Sequence, residues 1–149
     1  MRLSSRFFML PLIALPFFCS SCLLDDPAKL ELGRDYNGTT HHVMDVTDSF
    51  KINDPLVLQL DNGKAFNVDS VEMTLFTGTK GSHLSAPLFS QKFHVKSTDR
   101  NLIIRGPVNT PITARNFLRT SEVGKYYMEF KNGATVITGI DLSLHNSKE

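Results

Sequence analysis

The chain has no tryptophan and only two cysteines in 149 residues, and neither sign of charge dominates: 16 Lys+Arg stand against 15 Asp+Glu. Each shortage removes a class. Two cysteines cannot staple a disulfide-dense mini-protein or build a four-cysteine zinc site. A formal charge of +1 lacks the basic stripe of a nucleic-acid binder, so no nucleic-acid partner is expected. The longest uncharged apolar run, residues 7–24, is short of the about 20 residues that a membrane-spanning helix needs, which leaves an uncleaved anchor through Leu24 as the lesser alternative to a cleaved signal. There is no G-x-S-x-G elbow, no H-E-x-x-H and no P-loop, so neither an enzyme nor a bound cofactor is expected. What is present is a 41% hydrophobic chain with 11 phenylalanines, enough apolar material for one folded domain.

The first 22 residues read MRLSSRFFMLPLIALPFFCSSC. Arg2 and Arg6 make a positive start, residues 7–18 are uncharged and strongly apolar, and Cys19-Ser20-Ser21 is a stretch of small residues. That order predicts an export signal. The apolar run is short for a span, and Pro11 and Pro16 would disturb a spanning helix. Cys19-Ser20-Ser21-Cys22 resembles a bacterial lipobox: an aliphatic residue, two small residues, then the cysteine that receives diacylglycerol. Cys19 stands where leucine is usual, as in the relaxed lipoboxes of spirochaetes and some other diderm bacteria. The resemblance implies a lipoprotein signal peptide over residues 1–21, lipidation of Cys22, and a membrane as partner through the acyl chains. Two or more chains anchor stably where one is marginal. Leu23 is not the aspartate that resembles an inner-membrane retention signal, which favours the outer membrane. Beyond Cys22 no cysteine remains, so the domain must hold together by packing alone.

Residues 23–42 lack sustained periodicity and carry Pro27, Gly33 and Gly38. With Cys22 they read as a flexible tether, with a short ordered piece near residues 29–32. From residue 43 to 149 the texture is that of short strands parted by turns. Leu56, Leu58 and Leu60 alternate with Val57 and Gln59, and Val71, Met73 and Leu75 alternate with Glu72 and Thr74. Phe89, Phe93 and Val95 share a face, as do Tyr126, Met128 and Phe130. Asp61-Asn62-Gly63 and Asn132-Gly133 predict hairpins, because Asn and Gly tolerate positive φ. Residues 112–120 are the best helical segment, expected as one turn within a crossover. In the last strand Val136, Ile140, Leu142 and Leu144 form an apolar face, with Ile137 out of phase and Gly139 a candidate bulge.

These features predict an all-β fold, a single antiparallel β-sandwich of about seven strands. The closing GKYYMEF, the NG turn and the long final strand resemble the last hairpin of an immunoglobulin-like or fibronectin-III-like domain, with Tyr126 or Tyr127 near the corner. Without a cysteine pair or tryptophan, an antibody-type domain is excluded. An up-and-down barrel is the alternative, but the segment is short for one.

His41, His42, Asp45 and Asp48 are the only grouping that resembles metal ligands, although adjacent residues of an extended strand point to opposite sides. His83, His94 and His145 are isolated, the last two on predicted solvent faces. Lys92, Lys96, Arg100 and Arg105 lie in one region and read either as an anionic-ligand patch or as edge protection. Residues 77–86 form a loop rich in small polar residues, a common place for binding groups. The combined expectation is a lipid-anchored, non-catalytic cell-envelope protein with an envelope or host protein partner. The alternatives are a metal-dependent hydrolase built on His41, His42, Asp45 and Asp48, and a structural envelope spacer.

Overall fold

The computed structural model describes residues 25–147; the signal segment, with Cys19 and Cys22, lies outside them. Nine strands and one helical turn follow in chain order: β1 (Lys29–Asn37), β2 (His42–Val46), β3 (Ser49–Lys51), β4 (Val57–Asp61), β5 (Ser70–Thr77), β6 (Phe89–His94), β7 (Asn101–Ile104), α1 (Ala114–Leu118), β8 (Gly124–Asn132) and β9 (Thr135–His145). They form two sheets, ordered β2-β1-β4-β7 and β3-β9-β8-β5-β6. All pairings are antiparallel except β3 against β9. The all-β sandwich read from the alternation is the observed architecture. Its strand order is that of an immunoglobulin-like domain, with consecutive strands dealt between the two sheets.

The alternating leucines and aromatics define the core. Leu32, Leu58 and Leu60 from one sheet meet Met73, Leu75, Met128, Phe130 and Leu144 from the other, all essentially without solvent exposure. Ala114, Phe117 and Leu118 of α1 also belong to this core. The first amides of α1 are satisfied by the preceding segment and not by a side-chain cap: Ala114 N donates to the Asp54 carbonyl at 2.8 Å and Arg115 N to that of Ile52 at 3.1 Å. Tyr126 is the corner residue. Its buried ring carries a hydroxyl that donates to the Glu122 carbonyl at 2.6 Å, the tyrosine-corner bond of such sandwiches.

Three sequence expectations change. The tether does not extend to residue 42, because β1 pairs with β4 from Lys29↔Asp61 to Gly33↔Val57 and buries Leu30 and Leu32. Its charges and glycines hide the pattern: Gly33 has no Cβ because β2 lies there, and a methyl would strike the Met44 carbonyl and the Val43 side chain. With β1, β2 and β3 ahead of β4, the strands number nine where about seven were expected.

Second, Asp61-Asn62-Gly63 is not a hairpin, since β4 and β5 belong to different sheets. Gly63 does take positive φ, +76°. The chain then crosses over, with Phe66 N bonded to the Asp99 carbonyl and Asn67 N to that of Ser97, both at 2.9 Å. Third, the strand irregularity sits at Ile137 and not at Gly139: Phe130 faces Thr138 while Lys131 faces Val136. The extra residue, Ile137, packs on the core and Val136 is left 46% exposed. The hairpin predicted at Asn132-Gly133 forms, with Gly133 and Ala134 as its central pair and Gly133 at φ +58°.

Strand directions give the sandwich two ends. Residues 25–28, 62–69, 95–100 and the β8–β9 turn lie at one, here the entry end. The 38–41 turn, residues 52–56, 78–88 and 105–123 lie at the other, the far end.

Candidate functional site

At the far end, the close of β1 and the connection after β7 enclose an open cleft of about 350 Å³. Arg34, Tyr36, Leu56, Arg105 and Pro107 are among its walls. Arg34 is fully engaged: Nε donates to Asp54 at 3.0 Å, Nη1 to Asp45 at 3.1 Å and Nη2 to the Ser49 carbonyl at 2.8 Å. Those bonds raise its pKa and keep it charged. Burial pushes Asp54 upward, but the Lys51 amide and the Arg34 guanidinium outweigh it and hold the carboxyl below its usual value.

Arg105 is held differently. Its guanidinium lies over the Tyr36 ring, 4.7 Å from the centroid. It is exposed and makes no ion pair among the described residues. The Tyr36 hydroxyl meets His41 Nδ1 at 3.1 Å. The connection that presents Arg105 is tightly folded, since a Cβ on Gly106 would collide with the Thr110 carbonyl. A guanidinium stacked on an aromatic plate with its fork open is suited to a carboxylate or other oxyanion.

On the outer face of the larger sheet, the 78–88 loop folds back over β5 and β8. The His83 ring lies 4.4 Å from Phe76 and 5.1 Å from Tyr127. Lys80 N donates to Asp141 at 2.6 Å, and Gly78 N to the Lys125 carbonyl at 2.8 Å. Burial first, then the negative charges of Glu129 and Asp141, raises the Tyr127 pKa. The 77–86 loop flagged from composition is therefore pinned to the sheet by its own aromatic and amide contacts.

The metal-like grouping is not brought together. His41 lies against Tyr36, Asp45 against Arg34, and the Asp48 carbonyl accepts from Ser143 N. His42 is exposed at the start of β2, paired with Asn37. No group of three or more His, Cys, Asp or Glu among the described residues could hold a metal ion. Of the basic residues, Lys96 and Arg100 share the entry end and Arg105 parts from them. Arg100 pairs with Asp61 and Asp26 at the entry end, Lys92 is exposed on β6, Lys96 follows it, and Arg105 is at the far end. His94 is exposed and His145 half-buried, with Nε2 3.1 Å from Ser143 Oγ. Tyr36, which completes the Arg105 site, escaped notice because it lies in the segment read as tether.

No family model matches the chain, and no curated protein matches it. Among solved structures, it is similar to an immunoglobulin-like protein from Pseudomonas aeruginosa, with 9% identity, a TM-score of 0.46, and coverage of 82% of this chain and 99% of that one. The assignment to an immunoglobulin-like sandwich rests on the strand order and the Tyr126 corner.

Proposed function

We propose that the protein is a lipid-anchored cell-envelope module without catalytic activity, which binds a protein partner through its far end. The observation that carries this reading is Cys22, placed after an apolar export segment and two serines. The geometry supports it: the chain enters the sandwich at Asp25 at one end, and the open Arg105–Tyr36 cleft lies at the other. The ligand chemistry suited to Arg105 is an anionic group, such as a carboxylate on a partner's loop or terminus. His41 lies against Tyr36 and Asp45 against Arg34, contacts that lend the hydrolase alternative no support.

The test is metabolic labelling with radioactive palmitate in cells carrying the full chain or Cys22→Ala. Label and membrane retention in the first and neither in the second support the anchor. Equal labelling and retention in both overturn it. Protease treatment of intact cells then distinguishes a surface from a periplasmic location.

A further inference from the structure

The entry end holds a clamp that the tether reading does not anticipate. Asp25 accepts from Lys64 Nζ at 2.7 Å, and Asp26 from Arg100 Nη2 at 2.8 Å. The same guanidinium bonds Asp61 Oδ1 through Nε at 2.7 Å. Gly63 lies so close under the Asp26 carbonyl that a Cβ would collide with it. The clamped segment runs beside Asn62, Ala65, Asn132 and Thr135 along a shared cleft. The chain is thus tied to the domain from Asp25 onward, and only Leu23 and Leu24 separate that point from Cys22. Three residue steps of fully extended chain reach about 10 Å.

We infer that the entry end of the sandwich, made by residues 25–28, 62–67, 96–100 and the β8–β9 turn, is a membrane-apposed surface resting on the phospholipid headgroups. This rests on the lipidation of Cys22. The occupant follows from chain length: a reach of about 10 Å is well below the domain's long dimension, since β9 alone runs 11 residues, about 36 Å at strand rise. The domain cannot turn over on such a leash without breaking the clamp. Lys64 and Arg100 also partly offset the three carboxylates gathered there, Asp25, Asp26 and Asp61, which reduces the like-charge penalty against anionic headgroups. The Arg105 cleft is then presented away from the bilayer.

The experiment uses the full lipidated chain in phosphatidylethanolamine/phosphatidylglycerol vesicles containing an acceptor-labelled lipid. Because Cys22 is acylated and Cys19 is removed with the signal, one added cysteine is the only thiol to carry a donor dye. Asn132→Cys reports the entry end and Val108→Cys the far end. The expected result is energy transfer to the lipid at least about threefold stronger from position 132, because the two positions lie at opposite ends of a sandwich whose 11-residue β9 alone spans about 36 Å. Inserting 12 Gly/Ser residues between Leu24 and Asp25 leaves the domain untouched and adds about 20 Å of flexible reach; the difference should then shrink. Lys64→Ala with Arg100→Ala should shrink it less, through loss of the clamp alone. Equal transfer from positions 132 and 108 in vesicle-bound protein overturns the inference while leaving the anchor intact. Failure of the protein to float with the vesicles overturns the anchor, and the inference with it.

Discussion

Two arginines of one cleft show how context sets a residue's worth. Arg34 makes three charge-assisted bonds, one of them to a backbone carbonyl, and its guanidinium also lies 5.7 Å from the Phe50 ring. Arg34→Met should destabilise by about 1–2 kcal/mol, reduced from a buried-pair value by its partial exposure. Arg105→Ala removes only an exposed cation–π contact and should cost about 0.5–1 kcal/mol. Urea unfolding followed by circular dichroism checks both. Asp54 and Asp61 give the acid response. The Arg100 guanidinium first, then the Gly63 amide, outweighs burial and holds Asp61 below its usual range. Both carboxyls have depressed folded pKa values, so their stabilisation is fully present above about pH 4, the unfolded value. It is lost as pH falls through the folded values. Asp61→Asn should flatten this acid limb of the urea midpoint against pH; an unchanged limb would contradict the assignment. None of these partnerships was visible in the sequence, because Arg34 and Asp54 are 20 residues apart and Arg100 and Asp61 are 39 apart.

At the scale of the element, glycines mark where backbones or rings must approach. Gly139 lies diagonal to Tyr127 across β8 and β9, and a Cβ there would meet the phenol ring. Gly139→Val should cost about 1–3 kcal/mol by overpacking and should disturb the Phe76–His83–Tyr127 stack. The shift of the His83 ring protons by NMR reads that displacement. Tyr126→Phe removes the corner bond to the Glu122 carbonyl and should lower the urea midpoint by an equivalent of about 1 kcal/mol, with an unchanged m-value. The alternation of β4, β5 and β8 was legible because each turns an apolar row of period two toward the core, although residues of the opposite face are covered too. β1 was not. Only Leu30 and Leu32 of its row are apolar, and Arg34 and Tyr36 continue the strand with polar partners.

For the molecule as a whole, the placement of β1 decides what can be removed. It lies between β2 and β4, and its loss would strip β4 of one ladder and open the core beside Leu58 and Leu60. A chain beginning at Asp25 should fold, with a β-type circular-dichroism spectrum and cooperative urea unfolding. A chain beginning at Val43, the boundary read from composition, should be unfolded or aggregated. Folding of the shorter chain would show that β1 is dispensable. The far end gathers its cleft from segments near residues 36, 56 and 105, which no local pattern connects.

The sequence alone determined the fold class, the burial faces of the long strands, the Asn132-Gly133 turn, the helical turn in the last crossover and the expectation of an exported, acylated chain. These depend on neighbours within a few residues, through strand period, turn conformation and signal order. The tertiary structure decided that residues 29–37 are a central strand, that Asn62-Gly63 leads a crossover, that the histidines and aspartates near residue 45 part company, and that Arg105 meets Tyr36. Each of these depends on which distant segments come to lie side by side. Sheet pairing sets that by burying a face or satisfying a ladder across the whole core, and no window along the chain contains both partners.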